Sequence, residues 1–326
     1  MKSEKNPQKD IIKFVLMKKL ILANPRGFCA GVDRATHIVE SALKKFGTPI
    51  YVRHEIVHNQ FVVDNFKKQG VIFVENLSEI PEESIVIFSA HGVSDSVYKE
   101  ALSRKLKILD ATCPLVKKVH SNAKKHYEQN RHIIMIGHAG HAEVEGTLGQ
   151  LPKGAITLVK DSEDVQKLNI NNTKELAYIT QTTLSVEETK ETIAALKEKF
   201  PEIIGPQAGD LCYATGNRQS AVKKLLEQVD FLLVVGASNS SNSTRLCELG
   251  KKCNVNSRLI ASVEDLEFSW LENAENIGLT SGASAPEILV QGVVEAIQKK
   301  IPDIVVENLV TMVENLHFNL PKELQD

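Results

Sequence analysis

The sequence predicts an α/β protein of three small modules with mostly parallel sheets, and three observations carry that expectation. Short apolar runs alternate with amphipathic helical patterns along the chain, and strands that alternate with helices form parallel sheets through crossover connections. The series divides into segments of roughly 90–100 residues, the size of a small domain, with no low-complexity linker between them. Each segment contains one of the cysteines Cys29, Cys113 and Cys212 in a loop just ahead of a helical pattern. The expected modules are residues 17–112, 113–208 and 209–300, packed against one another, with an extension over 1–16 and a tail over 301–326. No strong residue-level repeat relates them, so an internal duplication rests on layout alone.

The elements follow from periodicity. A first strand, Lys19–Ala23, runs into a Gly-flanked loop and the helical pattern Val32–Phe46. Strand Ile50–Val52 comes next, then Ile85–Phe88 with helix Ser94–Arg104, and Ile108–Leu109 with helix Leu115–Glu128. Strand Ile133–Ile136 opens a Gly- and His-bearing loop, and Ala177–Ile179 leads to helix Val186–Phe200. Helix Arg218–Gln228 precedes strand Phe231–Val235, a short helix covers Arg245–Lys252, and Ile277–Leu279 feeds helix Glu287–Lys299.

Composition narrows the function classes. Of 326 residues, 42% are hydrophobic and 25% charged, which is ordinary globular composition. Lys and Arg number 39 against 41 Asp and Glu, and no basic stripe is interleaved with aromatics, so nucleic acid is not an expected partner. No apolar stretch approaches a membrane span. The N-terminus has neither a signal-peptide core nor the pattern of an organelle transit peptide, Met17 would serve equally as a start, and the expected location is cytoplasmic. Five cysteines without a secretory signal fit a reducing compartment.

In open parallel sheets, ligands bind beyond the carboxyl ends of the strands, and the chemically capable clusters fall there. They include the loop around Cys29, Ser89-Ala-His91-Gly92, Asp110-Ala-Thr-Cys113-Pro114 and Gly137-His-Ala-Gly-His141-Ala-Glu143. Thr180-Gln-Thr182, Ser238–Ser243 and Thr280–Ser284 complete the set, with His58-Asn59 at a further junction. So many loops on converging strands describe one large polar site. A cysteine at a strand end is more often a small buried residue than a ligand. Cys29 and Cys113 differ because their glycine and proline neighbours expose the thiol, and a helix N-terminus favours a thiolate. Cys247 and Cys253 read as packing residues.

Among the histidines, His120, His126 and His132 read as a solvated face, and His37 and His317 suggest no role. His58, His91 and His141 stand at helix entrances, while His54 and His138 are candidates for supporting positions. The Ser238–Ser243 run is either a capped flexible loop or a cluster of neutral donors at a helix N-terminus suited to phosphate. The turn at Ser284 reads the same way. These loops lack Lys and Arg, and no phosphate-loop lysine or dinucleotide glycine motif is present, which points to a small diphosphate rather than a nucleotide. Glu143 is either a carboxylate complementing a helix dipole or, beside Thr182, a proton relay.

Zinc sites show close-set pairs such as C-x-x-C, and the three cysteines here are far apart in sequence. Thiolates from separate loops suit an iron–sulfur cube, which normally takes four cysteines. Three leave one iron open as a Lewis acid for a substrate oxygen, and the chemistry that follows is reduction with loss of a hydroxyl. A zinc-dependent hydrolase acting on a small diphosphate through the same thiolates and Glu143 is the alternative. A non-catalytic diphosphate-binding scaffold is a third reading, disfavoured by so many uncharged donors.

The motifs Asn24-Pro-Arg-Gly-Phe-Cys-Ala-Gly-Val32, Arg53-His-Glu-Ile-Val-His-Asn59, Ser89-Ala-His-Gly-Val93, Asp110-Ala-Thr-Cys-Pro-Leu-Val116 and Gly137-His-Ala-Gly-His-Ala-Glu-Val-Glu-Gly-Thr147 are followed by Thr180-Gln-Thr-Thr-Leu-Ser185, Cys212-Tyr-Ala-Thr215, Ser240-Ser-Asn-Ser243 and Ser281-Gly-Ala-Ser-Ala-Pro286. Together they closely resemble the 4-hydroxy-3-methylbut-2-enyl diphosphate reductase family of the methylerythritol phosphate pathway, from about Met17 to near Leu324. The resemblance implies three α/β modules around a central 4Fe–4S cluster held by Cys29, Cys113 and Cys212. It implies that His58, His91, His141, Ser240, Ser241, Asn242 and Ser284 bind the diphosphate, and that Glu143 and Thr182 supply or relay protons. The implied reaction removes the allylic hydroxyl as water with two electrons and protons, yielding isopentenyl and dimethylallyl diphosphate. A ferredoxin- or flavodoxin-like donor is the implied electron source. The departures from the family pattern, the extension and the stretch after Lys300, touch none of these motifs.

Overall fold

A computed structural model describes residues 18–170, 175–206 and 209–325; the expected extension over 1–16 lies outside them. The strands are β1 Lys19–Asn24, β2 Ile50–Arg53, β3 Val71–Val74, β4 Ile85–Phe88, β5 Lys107–Asp110, β6 His132–Ile136, β7 Ile156–Val159, β8 Leu176–Thr180, β9 Phe231–Val235, β10 Asn256–Ile260, β11 Asn276–Ser281 and β12 Val305–Val310. The helices are α1 Ala30–Phe46, α2 Gln60–Lys68, α3 Asp95–Ser103, α4 Pro114–Glu128, α5 Ala142–Leu148, α6 Ser162–Lys167, α7 Val186–Lys199, α8 Tyr213–Leu226, α9 Ser241–Lys252 and α10 Glu287–Lys300. They form three sheets in the orders β10-β9-β11-β1-β12, β3-β2-β4-β5 and β7-β6-β8, with every strand pair parallel.

Sheet membership departs from the expected segment cuts. β1, expected to open the first module, sits between β11 and β12 in the last sheet. Its four central residues are buried, so it suits an interior position covered on both faces. Period-two alternation divides its side chains between two cores. Leu20 and Leu22 pack with Leu233, Ile277 and Val293 of α10, while Ile21 and Ala23 pack with Leu232, Val234 and Leu225 of α8. Full burial of each such aliphatic side chain stabilises by about 1.5–3 kcal/mol.

The expected tail over 301–326 is likewise integrated. β12 pairs along all of β1, Thr311 donates to the Asn24 carbonyl at 2.8 Å, and Leu320 and Leu324 join the core under α1. Its polar, irregular sequence carries no periodicity, and the anchoring comes from partners distant in the chain. Four strands, β3, β7, β10 and β12, were not expected from periodicity. β3 and β7 are only four residues long, and β10 and β12 carry exposed polar residues. α8 begins at Tyr213 rather than the expected Arg218.

This layout matters for function because helix entrances converge. Cys29, Cys113 and Cys212 are the N-caps of α1, α4 and α8. Asn59, His141 and Ser240 are the N-caps of α2, α5 and α9.

Candidate active site

The strand ends line a cavity, partly open to solvent, whose wall includes all twelve expected site residues. Cys29, Cys113 and Cys212 occupy one part of that wall, and the histidines, serines and Asn242 another. Glu143 and Thr182 also line it.

Each cysteine loop is tied by its backbone to the loop that follows another strand. Cys29 N–H donates to the Ala283 carbonyl, Cys113 N–H to Ala90 and Cys212 N–H to Thr182, at 3.3, 2.9 and 3.0 Å. A Cβ at Gly31 would lie 2.6 Å from Cys113 Sγ and 3.9 Å from Cys29 Sγ, so the missing side chain there lets two thiols approach the start of α1. Burial, with Cys29 nearby, pushes the Cys113 thiol up to about 11 and the Cys212 thiol up to about 12. Helix N-termini favour thiolates, but desolvation wins in the protein alone.

Glu143 is only 2% exposed. Thr182 donates to it twice, backbone N–H to Oε1 at 2.7 Å and hydroxyl to Oε2 at 2.9 Å. Those bonds favour the carboxylate, yet burial outweighs them and raises Glu143 to about 7. Near neutral pH the group is therefore poised between acid and base, as a proton donor requires.

The polar loops present neutral donors. Asn242 Oδ1 accepts from Ala283 N–H at 2.9 Å, which leaves Asn242 Nδ2 buried without a partner. His141 Nδ1 accepts from Glu143 N–H at 3.1 Å, so its neutral ring carries the proton on Nε2. Burial lowers His141 to about 4 and takes His91 well below the usual histidine range. His58 and His91 stack with ring centroids 3.9 Å apart, and His58 Nε2 is buried without a partner. Buried polar groups normally find partners, so these two orphan atoms stand out in a cavity wall that both residues line. Ser284 Oγ donates to the His58 carbonyl at 3.0 Å and lies 3.3 Å from Ser240 Oγ. Ser241 Oγ donates to the Thr183 carbonyl at 3.2 Å.

The expected solvated face of His120 and His126 is a correction, because both are buried. Gly92, at φ 81, leaves room for the His120 ring: a Cβ there would lie 2.8 Å from His120 Cε1. His120 thus backs the Ser89–Gly92 loop that carries His91. His54 lines a neighbouring cavity and not the one that holds the twelve residues, and His138 Nε2 meets Arg245 at 3.2 Å.

Several contributors went unread in the sequence. Tyr213 accepts from Ala30 N–H at 3.2 Å, joining the Cys29 and Cys212 helices. Asp210 accepts from Thr180 N–H at 3.1 Å, bracing the strand that leads to Thr182, and its place two residues before Cys212 was the available signal. Arg218, fully buried, donates to the Gly27 carbonyl at 2.7 Å and pairs with Glu314 at 3.2 Å. Phe318 lines the cavity from the C-terminal segment, and nothing local in the sequence marks it.

Residues 20–298 match the LytB protein family. A 4-hydroxy-3-methylbut-2-enyl diphosphate reductase of Nitrosomonas europaea is 55% identical over 313 residues, covering 94% of this chain and 97% of its own. The protein of the same name from Pseudomonas entomophila is 54% identical, covering 93% and 97%. The solved E-1-hydroxy-2-methyl-but-2-enyl-4-diphosphate reductase of Plasmodium falciparum superposes with a TM-score of 0.91 at 42% identity, covering 94% of this chain and 97% of its own. A second solved structure, of (E)-4-hydroxy-3-methyl-but-2-enyl diphosphate reductase, matches at 0.63 and 32% identity, covering 87% and 100%.

Proposed function

The chain belongs to the LytB family of 4-hydroxy-3-methylbut-2-enyl diphosphate reductases, and from that premise we propose how its own residues carry the reaction. The activity is reductive dehydroxylation of (E)-4-hydroxy-3-methylbut-2-enyl diphosphate. Two electrons and protons remove the allylic hydroxyl as water and leave isopentenyl and dimethylallyl diphosphate. The relatives give no support to the zinc-hydrolase alternative.

Cys29, Cys113 and Cys212 would hold a 4Fe–4S cluster. Three thiols on three helix N-caps, with Gly31 kept bare beside two of them, fit a group gripped from several sides. The raised thiols fit it as well, since a bound metal drives them to thiolates. When bound, such a cluster supplies the electrons and, with three thiolates for four irons, one Lewis-acidic iron.

The remaining roles belong to the protein. His58, His91, His141, Ser240, Ser241, Asn242 and Ser284 would bind the diphosphate. The orphan Asn242 Nδ2 and His58 Nε2 point to such a ligand, and the N-terminus of α9 adds its dipole. Ser284 and Ser241 would turn their hydroxyls from backbone carbonyls to phosphate oxygens. Glu143, held acid-competent by burial, would donate the proton that leaves with the hydroxyl, with Thr182 aligning it. Electrons would come from a ferredoxin- or flavodoxin-like donor, since no nucleotide motif is present. Among the described residues no helix is long and apolar enough to cross a membrane, and we place the enzyme in the cytoplasm.

The observation that carries the reading is the meeting of three cysteine-capped helices and the Glu143–Thr182 pair in one cavity. Anaerobic iron and sulfide analysis with reductase assays tests it. About four of each per chain are expected, and an active preparation without iron would overturn it.

A further inference from the structure

We propose that His54, His58 and His91 form a site for a divalent transition metal of zinc's class beside the diphosphate pocket, where the metal competes with substrate. The competition rests on the diphosphate reading above, because His58 and His91 belong to both sites.

Each of the three rings offers a nitrogen, and these atoms lie within 4.8 Å of one another. Each Nδ1 is already held by a neighbour. His54 Nδ1 meets both Glu75 oxygens at 3.1 Å, His58 Nδ1 meets Glu55 Oε2 at 3.2 Å, and His91 Nδ1 meets Ser89 Oγ at 3.3 Å. Asn239 Nδ2 in turn holds Glu55 Oε2 at 3.0 Å. Metal-binding histidines characteristically engage their second nitrogen in this way, which fixes ring orientation and raises basicity. The Nε2 atoms are left to ligate, and that of His58 is buried without a partner.

The neutral imidazole is the ligating form. Zinc at about 2.0–2.1 Å from each nitrogen needs them about 3.4 Å apart, so ligation requires side-chain rotation that draws the three nitrogens together and turns His58 and His91 out of their stack. His58 lines both cavities, His54 only the neighbouring one and His91 only the first, so a metal held by all three would sit where the two cavities meet, beside the diphosphate ligands. The site uses none of the cysteines.

The test uses the cluster-loaded enzyme under anaerobic conditions, with zinc chloride as probe and free zinc set by a metal buffer. Inhibition is expected to be competitive with the diphosphate substrate and reversed by EDTA, with iron and sulfide content unchanged. His54→Asn should keep zinc-free kcat/KM within about twofold and lose at least tenfold in zinc sensitivity, and Glu75→Gln should lose about tenfold. Equal sensitivity of His54→Asn and the parent, a non-competitive pattern, or iron loss on zinc addition would overturn the proposal. His58→Asn separates the two readings. A raised KM with zinc sensitivity retained removes the metal site and keeps the diphosphate role. An unchanged KM with zinc sensitivity lost does the reverse.

Discussion

At the carboxylate side of the cavity Glu143 takes two hydrogen bonds from Thr182, whereas at the cysteine side burial pushes the Cys113 and Cys212 thiols up to about 11 and about 12. The first constellation is complete as folded, its charge state set by desolvation against bonds already made. The second keeps its Cys113 and Cys212 thiols protonated in the protein alone, because thiolates placed there would lose hydration and meet like charge. The contrast teaches that the chain completes its buried Glu143–Thr182 pair in advance and leaves its cysteines without an equivalent partner. Substitutions on the two sides should therefore fail differently.

The largest effect is expected on the cysteine side. Cys113→Ala should lose the cluster, seen as loss of brown colour and iron, and activity should fall by more than about a hundredfold, since a direct ligand matters more than its supporting shell. Retained iron with normal turnover would erase the contrast. By contrast, Glu143→Gln should keep iron and sulfide while kcat falls about 10²–10⁴-fold.

The pH dependence sharpens that second result. Because burial raises Glu143 to about 7 from a usual value of 4.5, its acid form, and with it kcat, should decline as pH rises through about 7. The stability linkage has the same sign: a raised carboxyl contributes fully below its unfolded value and loses that contribution as pH rises through the folded one. Denaturation at pH 5 and pH 8 should show the parent losing stability relative to Glu143→Gln at the higher pH, and a parallel response would contradict the raised value.

A smaller effect concerns how the cysteine side is held. Glu314→Ala leaves the fully buried Arg218 guanidinium without its carboxylate and should cost about 3 kcal/mol, read as a lower denaturation midpoint. Iron retention should suffer too, since Arg218 also holds the Gly27 carbonyl near Cys29. Smallest is Ser284→Ala, which should raise KM about tenfold through loss of one bond to a charged group, with kcat little changed.

Much of the site could be read from the chain because its residues sit in loops after apolar strands, where backbone periodicity alone predicts a ligand edge. Cys29, His91, Glu143 and Ser240 were each visible in that way. His120 was misread because a Lys-rich helix looks solvated on every face, and its burial depends on the bare Gly92 opposite. Arg218 and Phe318 gave no local signal, since their partners lie far away in sequence.

By itself the sequence determined the α/β class, the parallel pairing and the identity of the chemically capable loops, because these follow from local period and residue type. Only the tertiary structure decided that β1 lies in the last sheet, between β11 and β12, and that the C-terminal segment closes over Arg218. It also decided that Glu143 is desolvated enough to hold a proton near neutrality. Those outcomes depend on which surfaces exclude water from one another, a property of packed neighbours that no stretch of sequence carries alone.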